Sequence, residues 1–108
     1  MLVELEVFSG RPNPRWELDE RRSLSLRRLQ DRLKESQHPR PEPPPLGYRG
    51  FWYSDAQERF WAYHGYLLTS RAGFADPSRT IERFLLRQLP SEFAGLRNRI
   101  ASELAPLK

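Results

Sequence analysis

Five of the ten prolines in this 108-residue chain stand between His38 and Leu46, the strongest local restraint on the backbone in the sequence. Proline has a fixed φ and no backbone N–H, so such a run forms neither a helix nor a central strand. We expect residues 38–46 to adopt an extended polyproline II conformation. Because apolar elements stand on both sides, we interpret the run as a stiff loop inside a single domain spanning 1–108.

The stretch that follows the prolines, from Gly47 to Ser70, holds most of the aromatic residues. Two runs within it, Tyr48–Tyr53 and Arg59–Leu68, are rich in residue types that favour strands. The polar residues 54–58 between them predict a hairpin connection. A short helix over 55–63 is the alternative interpretation, and the sequence alone leaves both open.

The sequence from Leu2 to about Glu35 predicts one strand followed by one helix. Leu2–Phe8 alternates apolar and acidic side chains, which predicts a half-buried strand. Asp19 stands where a helix N-cap is expected, and the leucines that follow it share one helical face. We therefore predict an amphipathic helix that ends at about Glu35.

Two more helices are expected in the last third of the chain. Asp76 followed by Pro77 predicts an N-cap and a first helical position, and Pro90 ends that helix. Ser91 then caps a third helix. The apolar stripe of this third helix comprises Phe93, Leu96, Ile100, Leu104 and Leu107.

These elements follow the order strand, helix, strand, strand, helix, helix. The sequence therefore predicts an α+β fold, with a small three-stranded, mainly antiparallel sheet and two or three helices on one face. The first strand would pair with the hairpin, and the loop from Ser9 to Trp16 would lie across one end of the sheet.

Several classes of function are excluded by what the sequence lacks. With no cysteine, the chain has no disulfide, no thiolate zinc site and no cysteine nucleophile. Motifs for metal or phosphate binding are also missing, so we expect no cofactor. The N-terminus does not read as a signal peptide, and no stretch approaches the roughly 20 apolar residues of a membrane span. We predict a cytoplasmic protein with no membrane partner.

The charge pattern is basic but diffuse. The formal net charge is +4, and all basic residues except Lys34 and Lys108 are arginine. Each half of the chain carries an equal share of the excess, whereas nucleic-acid binders usually concentrate it on one face. A nucleic-acid partner therefore stays a secondary possibility.

The loop from Ser9 to Trp16 is the most unusual short segment. Its two prolines make it rigid, and Asn13 tolerates left-handed backbone geometry. A preorganised turn that presents Arg11 beside an aromatic ring such as Trp16 can hold a carboxylate, a phosphate or a partner backbone. The alternative is a stiff connection in which Trp16 packs onto the sheet.

The aromatic hairpin carries the strongest functional hint. Its rings occupy both faces of the predicted sheet, so one set stays exposed unless something covers it, and exposed aromatic surface usually marks a contact site. The candidate partner-binding residues are Arg11, Asn13, Trp16, Arg49, Trp52, Tyr53, Trp61, Tyr63 and His64.

Three functions are compatible with these residues. The leading hypothesis is a non-enzymatic interaction module that uses the sheet face or an edge strand for self-association or for docking a protein partner. The first alternative is single-stranded nucleic-acid binding through aromatics and arginines. The second is a small enzyme that uses His64 with Glu58 or Asp55.

The opening also resembles a group of small bacterial proteins. The resemblance rests on Val-Phe-Ser-Gly-Arg-Pro-Asn-Pro-x-Trp, from Val7 to Trp16, and on Tyr-Arg-Gly-Phe, from Tyr48 to Phe51. It implies that the Arg11 loop and the Tyr48 segment approach each other in space. No activity or functional residue follows from it.

Overall fold

The computed structural model of the chain describes residues 1–105. These residues form seven strands and three α-helices, with one short 3₁₀ helix between the last two α-helices. In chain order the elements are β1 (Leu2–Leu5), β2 (Arg15–Glu17), α1 (Glu20–Asp31), β3 (Lys34–Glu35), β4 (Phe51–Ser54), β5 (Arg59–Tyr63), β6 (Tyr66–Leu68), β7 (Gly73–Ala75), α2 (Thr80–Arg87), the 3₁₀ helix (Ser91–Phe93) and α3 (Ala94–Ala101).

All seven strands belong to one antiparallel sheet with the order β2-β1-β4-β5-β6-β7-β3. The fold is α+β, but the prediction of a small three-stranded sheet was wrong, since four further strands flank the predicted three. The pairing of β1 with the aromatic hairpin and the hairpin itself are confirmed. The hairpin also excludes the alternative helix over 55–63.

One missed strand comes from a tight turn at His64-Gly65. The predicted single strand Arg59–Leu68 is two strands, β5 and β6, joined by these two residues. Both have positive φ, +50° and +73°, as a two-residue turn of type I′ requires. Histidine is an unusual residue at the first position of this turn, so the residues His64-Gly65 did not indicate a turn in the sequence.

The two edge strands are too short to be read from the sequence. β2 lies within the segment expected to be a loop, and β3 stands where the first helix was expected to continue. β2 pairs with β1 over three residues, and β3 pairs with β7 over two. Strands of this length carry no periodic pattern of their own, and their pairing partners define them.

Side-chain capping sets the start of α1, whereas α2 begins later in the chain than its predicted cap. Asp19 caps α1 as predicted, since its carboxylate accepts the Arg22 amide at 2.8 Å, but the helix ends at Asp31. In α2 the predicted cap Asp76 accepts the Ile81 amide at 2.9 Å. The helix nevertheless begins only at Thr80, because Arg79 takes a left-handed conformation before it.

The third predicted helix is present, but the prediction that Ser91 caps it was wrong, because neither the 3₁₀ helix nor α3 begins with a side-chain cap hydrogen bond. Residues 91–93 form a 3₁₀ turn, and α3 begins at Ala94. Leu96, Ile100 and Leu104 of its predicted stripe are buried. Leu107 lies outside the described residues.

The helices pack on one face of the sheet, here called the covered face. The apolar core lies between them, and its sheet side is formed by Val3, Leu5, Phe51, Tyr53, Phe60, Ala62 and Leu67. The opposite side is here called the open face. Residues directly paired across strands share a face, so Trp52 and Trp61 lie together on the open face.

Among residues 1–105, no helix has both the length and the apolar character that a membrane crossing requires.

Gly50 is the position where the entry into β4 requires glycine. Its φ is +99°, and a Cβ built there would lie 2.7 Å from the Ala62 carbonyl oxygen and 2.9 Å from Trp61 Nε1. A side chain at residue 50 would therefore be strained in the backbone and would push against β5.

We predict that Gly50→Ala lowers the free energy of unfolding by about 1–3 kcal/mol, through backbone strain and the contact with β5. Urea denaturation followed by circular dichroism measures the change. The matched control is Gly95→Ala in α3, where a Cβ meets no atom within 4 Å. That variant should be unchanged or more stable by up to about 1 kcal/mol. Equal losses in both variants would contradict this role of Gly50.

Candidate interaction surface

Three aromatic rings form a continuous row on the open face, here called the Trp row: Trp52, Trp61 and Tyr63. Trp52 and Trp61 are cross-strand partners with ring centroids 6.0 Å apart. Tyr63 stacks on Trp61 at 5.4 Å. Trp61 is only 1% exposed, whereas Trp52 and Tyr63 are half-buried. Trp61 is therefore buried on the side of the sheet that the helices do not cover.

The proline-rich segment, residues 38–46, contributes one side chain to the cover of the Trp row. The Arg40 guanidinium lies over the Trp61 ring, 4.6 Å from its centroid. Pro41 is half-buried, and the other eight residues of the segment are exposed. The Trp61 indole N–H donates to the Arg49 carbonyl at 3.0 Å, just beyond the end of the segment. Arg40 of this loop and the Arg49 carbonyl therefore cover part of the Trp61 ring.

Arg49 connects the segment to the start of the sheet. Its Nε donates to Glu6 Oε2 at 3.1 Å, one terminal nitrogen donates to the Phe8 carbonyl at 2.9 Å, and the other donates to the Pro45 carbonyl at 3.3 Å. Because a planar guanidinium offers several donors at fixed angles, one side chain can join the stretch at Glu6 and Phe8 to the Pro45 carbonyl. Arg49 is therefore a fixed part of the fold rather than a free rim residue.

Glu6 was not among the candidates, yet it joins Arg49 to the Trp row. Its Oε1 accepts the Trp52 indole N–H at 2.8 Å, while Oε2 accepts from Arg49. The alternation of Leu2–Phe8 places Glu6 on the polar side of the first strand, but this pattern does not reveal an aromatic N–H donor. A carboxylate with two donors fixes the orientation of the Trp52 ring.

The loop from Ser9 to Trp16 is held from inside by Asn13. Its side-chain oxygen accepts the amides of Val7 and Phe8 at 3.0 and 2.8 Å, and its nitrogen donates to Glu4 at 3.0 Å. Arg11 is exposed and lies 3.8 Å from the centroid of the Phe8 ring, not beside Trp16.

Trp16 and Tyr53 lie on the covered face, away from the Trp row. Trp16 pairs with Val3 and packs against the core, and its buried Nε1 has no hydrogen-bond partner within residues 1–105. Tyr53 is 1% exposed, and its hydroxyl donates to Gln30 at 2.9 Å. Burial raises the pKa of Tyr53 well above its usual value. Tyr53 is therefore not available for contact, and Trp16, although half-buried, does not belong to the Trp row.

His64 stands apart from the acidic residues proposed as its partners. It is exposed in the turn between β5 and β6. Asp55 and Glu58 precede the opposite end of β5, where each has other partners. Backbone amides of Gln57 and Glu58 lower the pKa of Asp55, and hydrogen bonds from Ser70 lower that of Glu58. The structure does not bring these groups together for acid–base chemistry.

A buried ion pair joins Arg79 and Glu82, and no pattern in the sequence predicts it. The Arg79 Nη2 lies 2.9 Å from Glu82 Oε2, and Glu82 also accepts from the Tyr48 hydroxyl and the Gly65 amide. Burial raises the pKa of Tyr48 well above its usual value. With every group bonded, the cluster ties the start of α2 to the β5–β6 turn.

Arginine covers aromatic rings at three places. Besides Arg11 on Phe8 and Arg40 on Trp61, the Arg59 guanidinium lies 4.1 Å from the Trp52 ring centroid.

In the described part of the chain, which holds every aromatic residue, no aromatic side chain is fully exposed. In the same residues, no three His, Asp or Glu side chains form a cluster that could hold a metal ion.

A shallow depression remains beside Trp52, next to the edge strand β2. Its volume is about 230 Å³, and it is lined by Leu2, Glu4, Arg15, Trp52, Ser54 and Arg59. Leu2 is 47% exposed, a large value for an apolar side chain on a sheet. The depression thus combines an exposed aliphatic group, a half-buried indole and charges of both signs.

In comparisons with protein-family models, curated proteins and solved structures, the chain matched none.

We predict that Arg49→Lys lowers the free energy of unfolding by about 1–3 kcal/mol, because an ammonium group cannot reach Glu6, Phe8 and Pro45 together. Thermal and urea denaturation measure the loss. Arg28→Lys on α1 is the control, since Arg28 is exposed, and its stability should stay within about 0.5 kcal/mol of wild type. If both variants match wild type, Arg49 does not have the connecting role assigned to it.

Proposed function

We propose that the protein is a non-enzymatic interaction module that docks a protein, either a second copy or a different partner, on the open face beside Trp52. The observation that carries the proposal is the depression at Trp52, where the exposed Leu2 and the Arg59-covered indole adjoin each other. Aromatic and arginine side chains are the residues enriched at the centres of protein interfaces.

The neighbouring edge strand supports the same location. β2 is the terminal strand of the sheet on this side, and Arg15 and Glu17 are exposed on it. An edge strand can add a strand from a partner, while the adjacent face supplies side-chain pockets. Arg15 takes part in both features, because it also lines the depression.

The two alternatives gain no support from the geometry. Base stacking needs free ring faces, but Trp52 and Trp61 each carry an arginine, and Tyr53 is in the core. An enzyme built on His64 needs an acidic neighbour, and the proposed ones precede the other end of β5. The cytoplasmic location read from the sequence stays a prediction.

The test is site-specific photocrosslinking in cells with a photoactivatable residue at position 2. Leu24 on α1 is a matched control, since it is 49% exposed but lies in the helical layer. We expect a discrete adduct from position 2, either a homodimer or one other protein, and none from position 24. Arg59→Glu should reduce the yield at least about tenfold, because it reverses the charge beside Trp52.

A second control separates this surface from general charge effects. Arg21→Glu reverses an exposed arginine on α1 and should leave the adduct unchanged. Equal labelling from positions 2 and 24, or no adduct at all, rejects docking at Trp52.

A further inference from the structure

The burial of Trp61 shows what chemistry the open face accepts. This indole is 1% exposed although the helices lie on the other side of the sheet. The cover is a proline-rich segment whose arginine, Arg40, stacks on the ring. The chain therefore already holds an arginine of a proline-rich segment against one ring of the Trp row.

A row of aromatic rings beside a proline-rich segment brings together the two kinds of group that take part in the recognition of polyproline II peptides. Such peptides present rigid proline rings to grooves lined by aromatic side chains, and little conformational entropy is lost when they dock. The Trp row supplies two stacked rings and a third at 6.0 Å. The face of Trp61 provides the position for an arginine of the ligand.

The chain's own segment is held only lightly. Within residues 1–105, no backbone–backbone hydrogen bond outside the regular elements involves residues 37–47. Arg40 stacks on Trp61, Arg49 donates to the Pro45 carbonyl, and His38 makes two hydrogen bonds with the side chain of the neighbouring Ser36. Eight of its nine residues are exposed. A segment of the same chemistry on another molecule can therefore replace it without breaking the sheet.

We propose that the Trp row is a binding site for a proline-rich, arginine-containing polyproline II segment of a partner protein, and that residues 38–46 occupy this site within the chain until the partner displaces them. The proposal rests on the proposed interaction function and names the class of partner. It concerns the part of the row at Trp61 and Tyr63, whereas the depression lies at Trp52, at the other end of the row.

The test removes residues 38–46 from the chain and supplies the same sequence as a separate peptide. In the first variant, a Gly/Ser linker of equal length replaces residues 38–46 in the full chain. The probe is a synthetic peptide with the sequence of residues 37–47, titrated by calorimetry and by tryptophan fluorescence. We expect one peptide to bind per chain. Wild type should bind it about 10–100-fold more weakly, because a tethered segment competes at a millimolar effective concentration.

Two peptide controls test the chemistry. A peptide with alanine in place of its arginine, and one with alanine in place of its prolines, should each bind at least about tenfold more weakly than the unaltered peptide. Equal binding of all three peptides overturns the proposal, because the site would then recognise neither stacking nor the polyproline conformation.

A milder variant keeps the test decisive if the linker variant does not fold. Arg40→Ala leaves every proline in place and removes only the stacking on Trp61. It should bind the peptide several-fold more tightly than wild type, while the control Arg28→Ala on α1 should not differ from wild type.

The contrary outcomes are distinct. If the linker variant is folded but binds no peptide, or if it dimerises through the bared face instead, the proposal is wrong. If it binds no peptide while crosslinking from position 2 persists, only this inference fails and the docking surface at Trp52 stands. If the peptide binds but position 2 yields no adduct, the Trp row alone is the interaction site.

Discussion

Burial of the Trp61 indole on the side of the sheet away from the helices is the interaction on which the rest of the open face depends. The ring is closed in by Tyr63, Trp52 and the Arg40 guanidinium, and its N–H bonds to the Arg49 carbonyl. That bond fixes the path of the backbone at residues 49 and 50, so the chain passes too close to β5 for any residue but glycine at position 50. The Arg49 side chain then joins the same point to the start of the sheet and to the end of the proline-rich segment.

The arginine-rich composition has a structural meaning in this fold. Guanidinium groups lie over Phe8, Trp61 and Trp52. On the open face, which the helices do not cover, Trp61 and Trp52 are thereby shielded by side chains that keep their charge in water. Lysine lacks the planar group that stacks in this way. The open face is therefore a mixed aromatic and cationic surface. Because the arginines already cover these rings, a protein or peptide that replaces or extends those contacts fits it better than bases that need bare rings.

The sequence predicted those features that local chemistry determines. The cap at Asp19, the aromatic hairpin and its pairing with β1 followed from side-chain types and spacing. The size of the sheet could not be predicted in this way. β2 and β3 are defined only by their pairing partners, and the turn at His64-Gly65 begins with histidine, which is not a usual turn residue. Of the candidate residues, Trp52, Trp61 and Tyr63 come together, but Tyr53 and Trp16 fall on the other face. Strand register decides this division, and it depends on the four-residue turn between Ser54 and Arg59 and not on composition.

The proline-rich segment lies on Trp61 through its Arg40 side chain. Prolines have no amide proton, so backbone hydrogen exchange cannot report on the position of this segment. The most direct measurement is therefore nuclear magnetic resonance of the Trp61 side chain in the isolated protein. We expect slow hydrogen exchange of the Trp61 indole N–H and nuclear Overhauser contacts between the Trp61 ring protons and the Arg40 side chain. An indole N–H that exchanges as fast as a solvent-exposed one, with no contact to Arg40, would contradict it.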